Sequence, residues 1–242
     1  MAVKAIPWLL GLLREGLWFR QLPAALQDAV IRHAVVRSFR RGQVICRAGR
    51  RPEGLYGLLE GRVHVTRAVG SDGEDLVHVG EPGFWIGEYA LLTRGPAIVD
   101  TVAATAVRML LLPHAAFERL VETEPRWYRP FALLALERYA LMVAQLTDIR
   151  SLAPEERLRA RLANILALRR LERFRAGAVV LHLSQEELAR MVGVSRQTLN
   201  ALLGRLRDDG LVEIGFRSLR IPDPSRLPVD AQVLTPAPAR AR

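Results

Sequence analysis

SQEELARMVGVSRQTLNALLGRLRDD, residues 184–209, reads as two short helices joined at a tight turn. Ser184, with Glu187 three residues later, forms a capping box that satisfies the first backbone donors of a helix. Leu188, Ala189 and Val192 recur at helical spacing and give that helix an inner face, with Ala189 small where a second helix crosses closely. Gly193 supplies the backbone freedom of the turn. Val194 fills the corner, and Ser195 caps the second helix. Leu199, Leu202, Leu203 and Leu206 bury the inner face of that second helix. Arg196, Gln197, Asn200 and Ala201 are left facing outward near its N-terminal end.

That outward set points to DNA. An arginine can bond both O6 and N7 of guanine, and glutamine or asparagine can pair with adenine. Ser195 and Thr198 stand where a helix N-terminus meets phosphate oxygens. Downstream, Leu211–Ile214 and Ser218–Ile221 read as a small hairpin, a wing, that offers Arg217 and Arg220 as further phosphate contacts. Residues 184–221 hold nearly as many acidic as basic side chains, so binding depends on where the charges point rather than on bulk charge.

Upstream the texture changes twice. Residues 22–36 carry apolar positions at helical spacing, with a proline at the start. From about residue 39, short β-rich runs alternate with glycine turns: Val44–Cys46, Leu55–Leu59, Val63–Thr66, Leu76–Val79, Val99–Ala103 and Val107–Leu112. Many short strands at this spacing predict a sandwich or closed barrel. Residues 113–122 predict a short helix. Glu124-Pro125 opens a long helix to about Arg150, with Trp127, Phe131, Leu134, Leu141 and Gln145 along one side and further apolar residues on others. A helix apolar nearly all round is buried on more than one face. The simple solution places one face on the barrel and another on the same helix of a second copy. Residues 151–154 break this helix and mark a hinge. Residues 155–174 form another amphipathic helix, and Val179–Leu183 a short strand.

The expected architecture is therefore α+β: a β-barrel domain with N-terminal helices over residues 1–123, a dimerisation helix over 124–150, a winged helix-turn-helix over 151–222 and a loose proline-rich tail over 223–242. The formal net charge is +10 and the pI about 11.0, which fits a polyanionic partner. A single cysteine, Cys46, excludes a disulfide framework or multi-cysteine metal site within the chain and suits a reducing cytoplasm. The apolar run Ile6–Leu13 is too short to span a bilayer and lacks the charged start and cleavage site of a signal peptide, so it reads as a local packing segment and no membrane partner is expected.

Three segments together resemble the cyclic-AMP receptor protein and fumarate-nitrate regulator family of transcription factors. FRRGQVICRAGRRPEGLYGLLEGRVHV (39–65) is similar to the opening strands of that family's sensor, a cyclic-nucleotide-binding-type jelly roll. GFWIGEYALLTRGPAIVDTVAAT (83–105) is similar to its ligand cassette, and residues 184–209 to its helix-turn-helix. The resemblance covers roughly residues 17–222. It implies a homodimer with recognition helices in successive major grooves, a near-palindromic operator, and half-sites roughly 34–36 Å apart. It makes Arg196, Gln197 and Asn200 or Ala201 the base readers, and Ser184, Gln185, Ser195 and Thr198 phosphate contacts. The cyclic-AMP receptor has an acidic residue where Gln197 sits and an arginine where Ala201 sits, so the preferred half-site differs from that receptor's.

The same resemblance marks Gly87, Glu88, Ile98 and Val99 as ligand-pocket candidates. In cyclic-AMP binders a glutamate, matched by Glu88, takes the ribose hydroxyl. An arginine followed by serine or threonine, matched by Ile98–Val99, grips the cyclic phosphate. An apolar pair cannot neutralise a phosphate, so the barrel is expected not to respond to cyclic AMP in the usual way. Arg94 lies nearby on a turn and is expected to point to solvent. No cofactor is required. Haem on His33, His64, His78 or Cys46, or an unknown small-molecule effector, stands as an alternative input.

Two other classes are weighed. A catalytic site would need clustered histidines and carboxylates, a phosphate-cradling loop or a nucleophile elbow; none is legible, so neither catalytic residues nor a metal site is expected. A cyclic-nucleotide-responsive regulator, or a regulatory interaction module without DNA binding, remains the alternative. The family resemblance also implies RNA polymerase as a further partner, at the loop Arg173–Ala178.

Overall fold

The computed structural model describes residues 11 and 13 and residues 16–69, 73–168 and 177–227. Internal contacts divide the chain into two compact units, Met1–Ala135 and Leu136–Arg242. The boundary falls inside the long helix rather than at either of its ends.

The first unit begins with helices α1 (Leu17–Gln21) and α2 (Ala24–His33). The sequence predicted helix through residue 36. Instead Ala34 turns extended and Val35–Phe39 becomes strand β1, in register with β8 (Val107–Pro113) from Val35 opposite Leu111 to Phe39 opposite Val107. The β-branched pair Val35–Val36 fits a pleated ladder better than a helix interior. The remaining strands are β2 (Val44–Cys46), β3 (Gly54–Glu60), β4 (Val63–Val69), β5 (Gly73–Gly80), β6 (Trp85–Ile86) and β7 (Asp100–Ala103). They form two four-stranded antiparallel sheets, ordered β1-β8-β3-β6 and β2-β7-β4-β5, the expected jelly roll. Between them lie Cys46, Tyr56, Leu58, Val63, Val65, Met109 and Leu111. A short helix, α3 (Glu88–Thr93), follows β6. Neither β6 nor α3 was predicted, since each is too short to show a period.

Helix α4 (His114–Thr123) leads through a 3-10 turn, Pro125–Trp127, into the long helix α5 (Tyr128–Ser151). A second core joins these helices to α1 and α2. Trp18 lies 5.0 Å from Trp85 and 5.5 Å from Phe131, and Phe131 lies 4.9 Å edge-on from Phe117. The Trp18 indole N–H donates to the Pro130 carbonyl at 2.7 Å. Phe131 and Leu134 are buried in this core, and Trp127 rests against it. This corrects the expected dimer stripe: its first three members are used inside the protomer, where the aromatic cluster offers them a dry partner. The side chains of Leu141 and Gln145 lie outside the described residues. Among the described residues, the exposed large apolar side chains of α5 are Tyr128, Leu136, Tyr139, Met142 and Val143.

The second unit contains α6 (Pro154–Leu168), β9 (Val179–Leu181), α7 (Gln185–Val192), α8 (Arg196–Asp208), β10 (Glu213–Gly215) and β11 (Ser218–Ile221). Its strands form one antiparallel sheet ordered β10-β11-β9. Leu158, Leu162 and Leu166 of α6 are buried, as are the inner faces of α7 and α8. The expected loose tail does not begin at residue 223. Pro224–Arg226 makes a 3-10 turn, Leu227 is buried, and Arg226 donates to the Asp209 and Gly210 carbonyls at 3.0 and 3.3 Å. Residues 228–242 and the run Ile6–Leu10 lie outside the described residues, as do residues 173–176 of the loop expected to meet polymerase. Among the described residues, no helix is long and apolar enough to cross a membrane.

Candidate nucleic-acid interface

The helix-turn-helix is built by its caps. Ser184 Oγ accepts from the Glu187 backbone at 3.2 Å, and the Glu187 carboxylate accepts from the Ser184 backbone at 2.7 Å, closing the predicted box. Gly193 ends α7 at φ 72°, in the left-handed region that glycine tolerates. The amides of Gly193 and Val194 both return to the Ala189 carbonyl, at 3.0 and 3.1 Å, which fixes the sharpness of the turn. Ser195 Oγ then accepts from the Thr198 backbone at 3.0 Å, and the two hydroxyls share a hydrogen bond of 2.8 Å. The hydroxyls expected to meet phosphate are thus held in place by each other, and both remain exposed.

Leu199, Leu202, Leu203 and Leu206 turn inward, so Arg196, Gln197, Asn200 and Ala201 lie on the exposed face of α8. The near-balanced local charge resolves into a pattern. Arg205 pairs with Glu155 at 3.3 Å, Arg207 with Asp208 at 2.9 Å, and Arg220 with Glu213 at 2.5 Å. Glu155 also takes Arg159, and these two arginine hydrogen bonds hold its carboxyl below the usual range. Among the described residues, neither Arg196 nor Arg217 ends on a carboxylate. These two line one groove of about 300 Å³ between α7, α8 and the wing, together with Ser184, Gln185, Phe216 and Ser218. Four of the predicted contact residues are therefore brought together. Gln197, Thr198, Asn200 and Ala201 stand on α8 outside the groove. Arg220 pairs with Glu213 directly across the hairpin.

The segment around Gly87 and Glu88 is arranged differently. Gly87 caps α3 at φ 104°, and a Cβ there would sit 2.7 Å from the Gly54 carbonyl, so only glycine lets the cassette lie against β3. Glu88 follows it and is buried. Val99 is half-buried against the inter-sheet core and Ile98 is exposed. Arg94 is exposed as expected but is held by Glu118 through two hydrogen bonds of 2.9 Å. That pairing holds the Glu118 carboxyl below its ordinary value.

The haem candidates are scattered. The His33 ring bonds the Ala29 carbonyl at 2.8 Å, and His78 lies on Phe84 at 4.9 Å. Register places His64 opposite Val79 and His78 opposite Val65, so the two rings stand on different faces of their strands. Burial pushes the Cys46 thiol up to about 12, with Glu88 and Glu53 adding to the effect. Among the described residues, no three His, Cys, Asp or Glu side chains converge as metal ligands.

Sequence reasoning missed Phe216, the wing-tip residue of the groove, which is fully solvated. An aromatic inside a predicted two-strand turn was the available signal.

Residues 36–124 match the family of the cyclic nucleotide-binding domain, and residues 160–228 match the Crp-like helix-turn-helix domain. The chain is 24% identical over 216 residues to the CRP-like cAMP-activated global transcriptional regulator of Mycobacterium tuberculosis, covering 89% of this chain and 96% of that protein. It is 28% identical over 198 residues to the HTH-type transcriptional regulator Cmr of the same organism, covering 81% and 76%. The solved structure of FixK2 from Bradyrhizobium japonicum superposes with a TM-score of 0.69 at 18% identity, covering 85% of this chain and 99% of that one, and shares the fold.

Proposed function

The chain belongs to the cyclic-AMP receptor protein and fumarate-nitrate regulator family of DNA-binding transcription regulators, and on that premise we propose that it acts as a homodimer on a near-palindromic operator without requiring cyclic AMP. The observation that carries the DNA-reading half is the pairing pattern: Arg205, Arg207 and Arg220 are neutralised within the unit, while Arg196 and Arg217 line the groove with no carboxylate partner among the described residues. An unpaired arginine can offer its planar fork to guanine or phosphate without first losing a partner. Arg196 is assigned the base-reading role, with Gln197, Asn200 and Ala201 beside it. Ser184, Gln185, Ser195, Thr198 and Arg217 are assigned to phosphates.

The homodimer is supported by Leu136, Tyr139 and Val143, exposed at helical spacing along α5. Burying such a stripe against its own copy is the ordinary solution for a two-fold regulator. The cyclic-AMP half is supported by Ile98–Val99 and by the capture of Arg94 on Glu118, which together leave no cation at the matched phosphate-gripping positions. The effector in this reading is an apolar small molecule or none. The role is regulatory rather than enzymatic.

Arg196→Ala tests the assignment. Affinity for the operator falls by about 1–3 kcal/mol and discrimination relaxes at one base pair per half-site. Retained discrimination at every position, measured by competition among single-base operator variants, removes Arg196 as a reader.

A further inference from the structure

Phe216 has 94% of its surface exposed, the highest value among the described large hydrophobic residues. Gly215 pairs with Ser218 across the hairpin, so Phe216 and Arg217 make up the whole two-residue tip of the wing. Arg217 holds φ at 49°, a left-handed conformation that turns normally give to glycine or asparagine. Two adjacent residues are therefore each poor choices for stability: a phenyl ring left in water and an arginine in a strained backbone. Both line the groove that contains Arg196.

We propose that Phe216 is an apolar DNA contact, its ring packing on the deoxyribose of the strand that bounds the major groove, beside the phosphate gripped by Arg217. The inference rests on α8 being the recognition helix. A major groove about 12 Å wide is filled by one helix about 10–12 Å across. The hairpin beside α8 cannot enter with it and must lie over the sugar–phosphate strand. On that strand phosphates alternate with sugars, and the sugar face is its apolar surface. A guanidinium next to a phenyl ring matches a phosphate next to a deoxyribose. A protein partner for Phe216 would not require Arg196 and Arg217 unpaired in the same groove.

The test is equilibrium binding of the full chain to its selected operator across a salt series, for wild type, Phe216→Ala, Phe216→Leu and Arg217→Ala. Phe216→Ala weakens binding about tenfold at every salt concentration with the slope unchanged, because a phenyl ring releases no counterion. Phe216→Leu recovers most of that loss. Arg217→Ala weakens binding and makes the slope shallower by about 1. Hydroxyl-radical footprinting loses protection of a sugar outside each half-site in Phe216→Ala alone. Full affinity in Phe216→Ala overturns the proposal and assigns the ring elsewhere; a changed slope in that variant also overturns it, because the ring would then be acting through a phosphate contact. If Arg196→Ala loses discrimination while Phe216→Ala binds as wild type, the reading of α8 stands and this inference alone falls. If wild type selects no operator, both fall.

Discussion

Arg94 after α3 and Arg196 on α8 are both solvent-facing arginines, yet one is bound by two hydrogen bonds to Glu118 and the other ends on no carboxylate among the described residues. The difference teaches what availability means. Recruiting Arg94 to a ligand phosphate would break a bidentate pair and strip Glu118 of its partner, whereas Arg196 gives up only water. The same contrast runs through the winged unit, where three arginines are neutralised by Glu155, Asp208 and Glu213. Local net charge says little; the geometry of pairing decides which cations can act.

The largest effect expected bears on which unit owns the start of α5. Phe131→Ala removes a fully buried ring from the Trp18–Phe117 cluster and destabilises the first unit by about 3–5 kcal/mol. Its melting temperature shifts equally at low and high protein concentration, because the contact lies within one protomer. A shift that vanishes on dilution would instead assign Phe131 to the partner's helix.

A smaller effect sharpens the account of the wing. In Arg217→Gly the left-handed penalty of about 1–2 kcal/mol is relieved, and the added freedom of the unfolded chain returns about 0.5–1 of it. The variant is therefore slightly more stable than wild type in denaturant titration while binding operator more weakly. Lower stability with unchanged binding would show that Arg217 is a structural residue.

The smallest effect concerns Arg94. Glu118 is held below its ordinary value of 4.5, first by the hydrogen bond from Arg94. A depressed carboxyl contributes stability above that ordinary value and loses it as pH falls through the folded one. The melting-temperature difference between wild type and Glu118→Gln is present at neutral pH and closes as pH falls below 4.5. A difference that stays constant through that window means that the pair does not form in solution.

Most of this fold is legible from local chemistry. Glycine turns mark the strands from Val44 to Leu112, and Ser184, Glu187, Gly193 and Ser195 place both helices of the DNA-reading motif nearly to the residue. The failures have physical reasons. Val35 and Val36 continue the apolar run of α2, and only pairing with β8 makes them strand. Helix α5 is apolar nearly all round, so no period distinguishes the face on Phe117 from the exposed one. The tail from Pro224 to Leu227 is held by Arg226 on carbonyls sixteen and seventeen residues away. For the site, residue types were legible but availability was not, since Arg205 meets Glu155 across fifty residues of sequence.

Selection of bound sites from a random DNA pool, run with and without cyclic AMP, tests the central claim most directly. The account predicts the same near-palindrome in both, with half-sites about one helical turn apart and one guanine in each lost to selection in Arg196→Ala. A palindrome recovered only with cyclic AMP would contradict the assignment of Ile98 and Val99, and no enriched site in either condition would contradict the DNA-reading role itself.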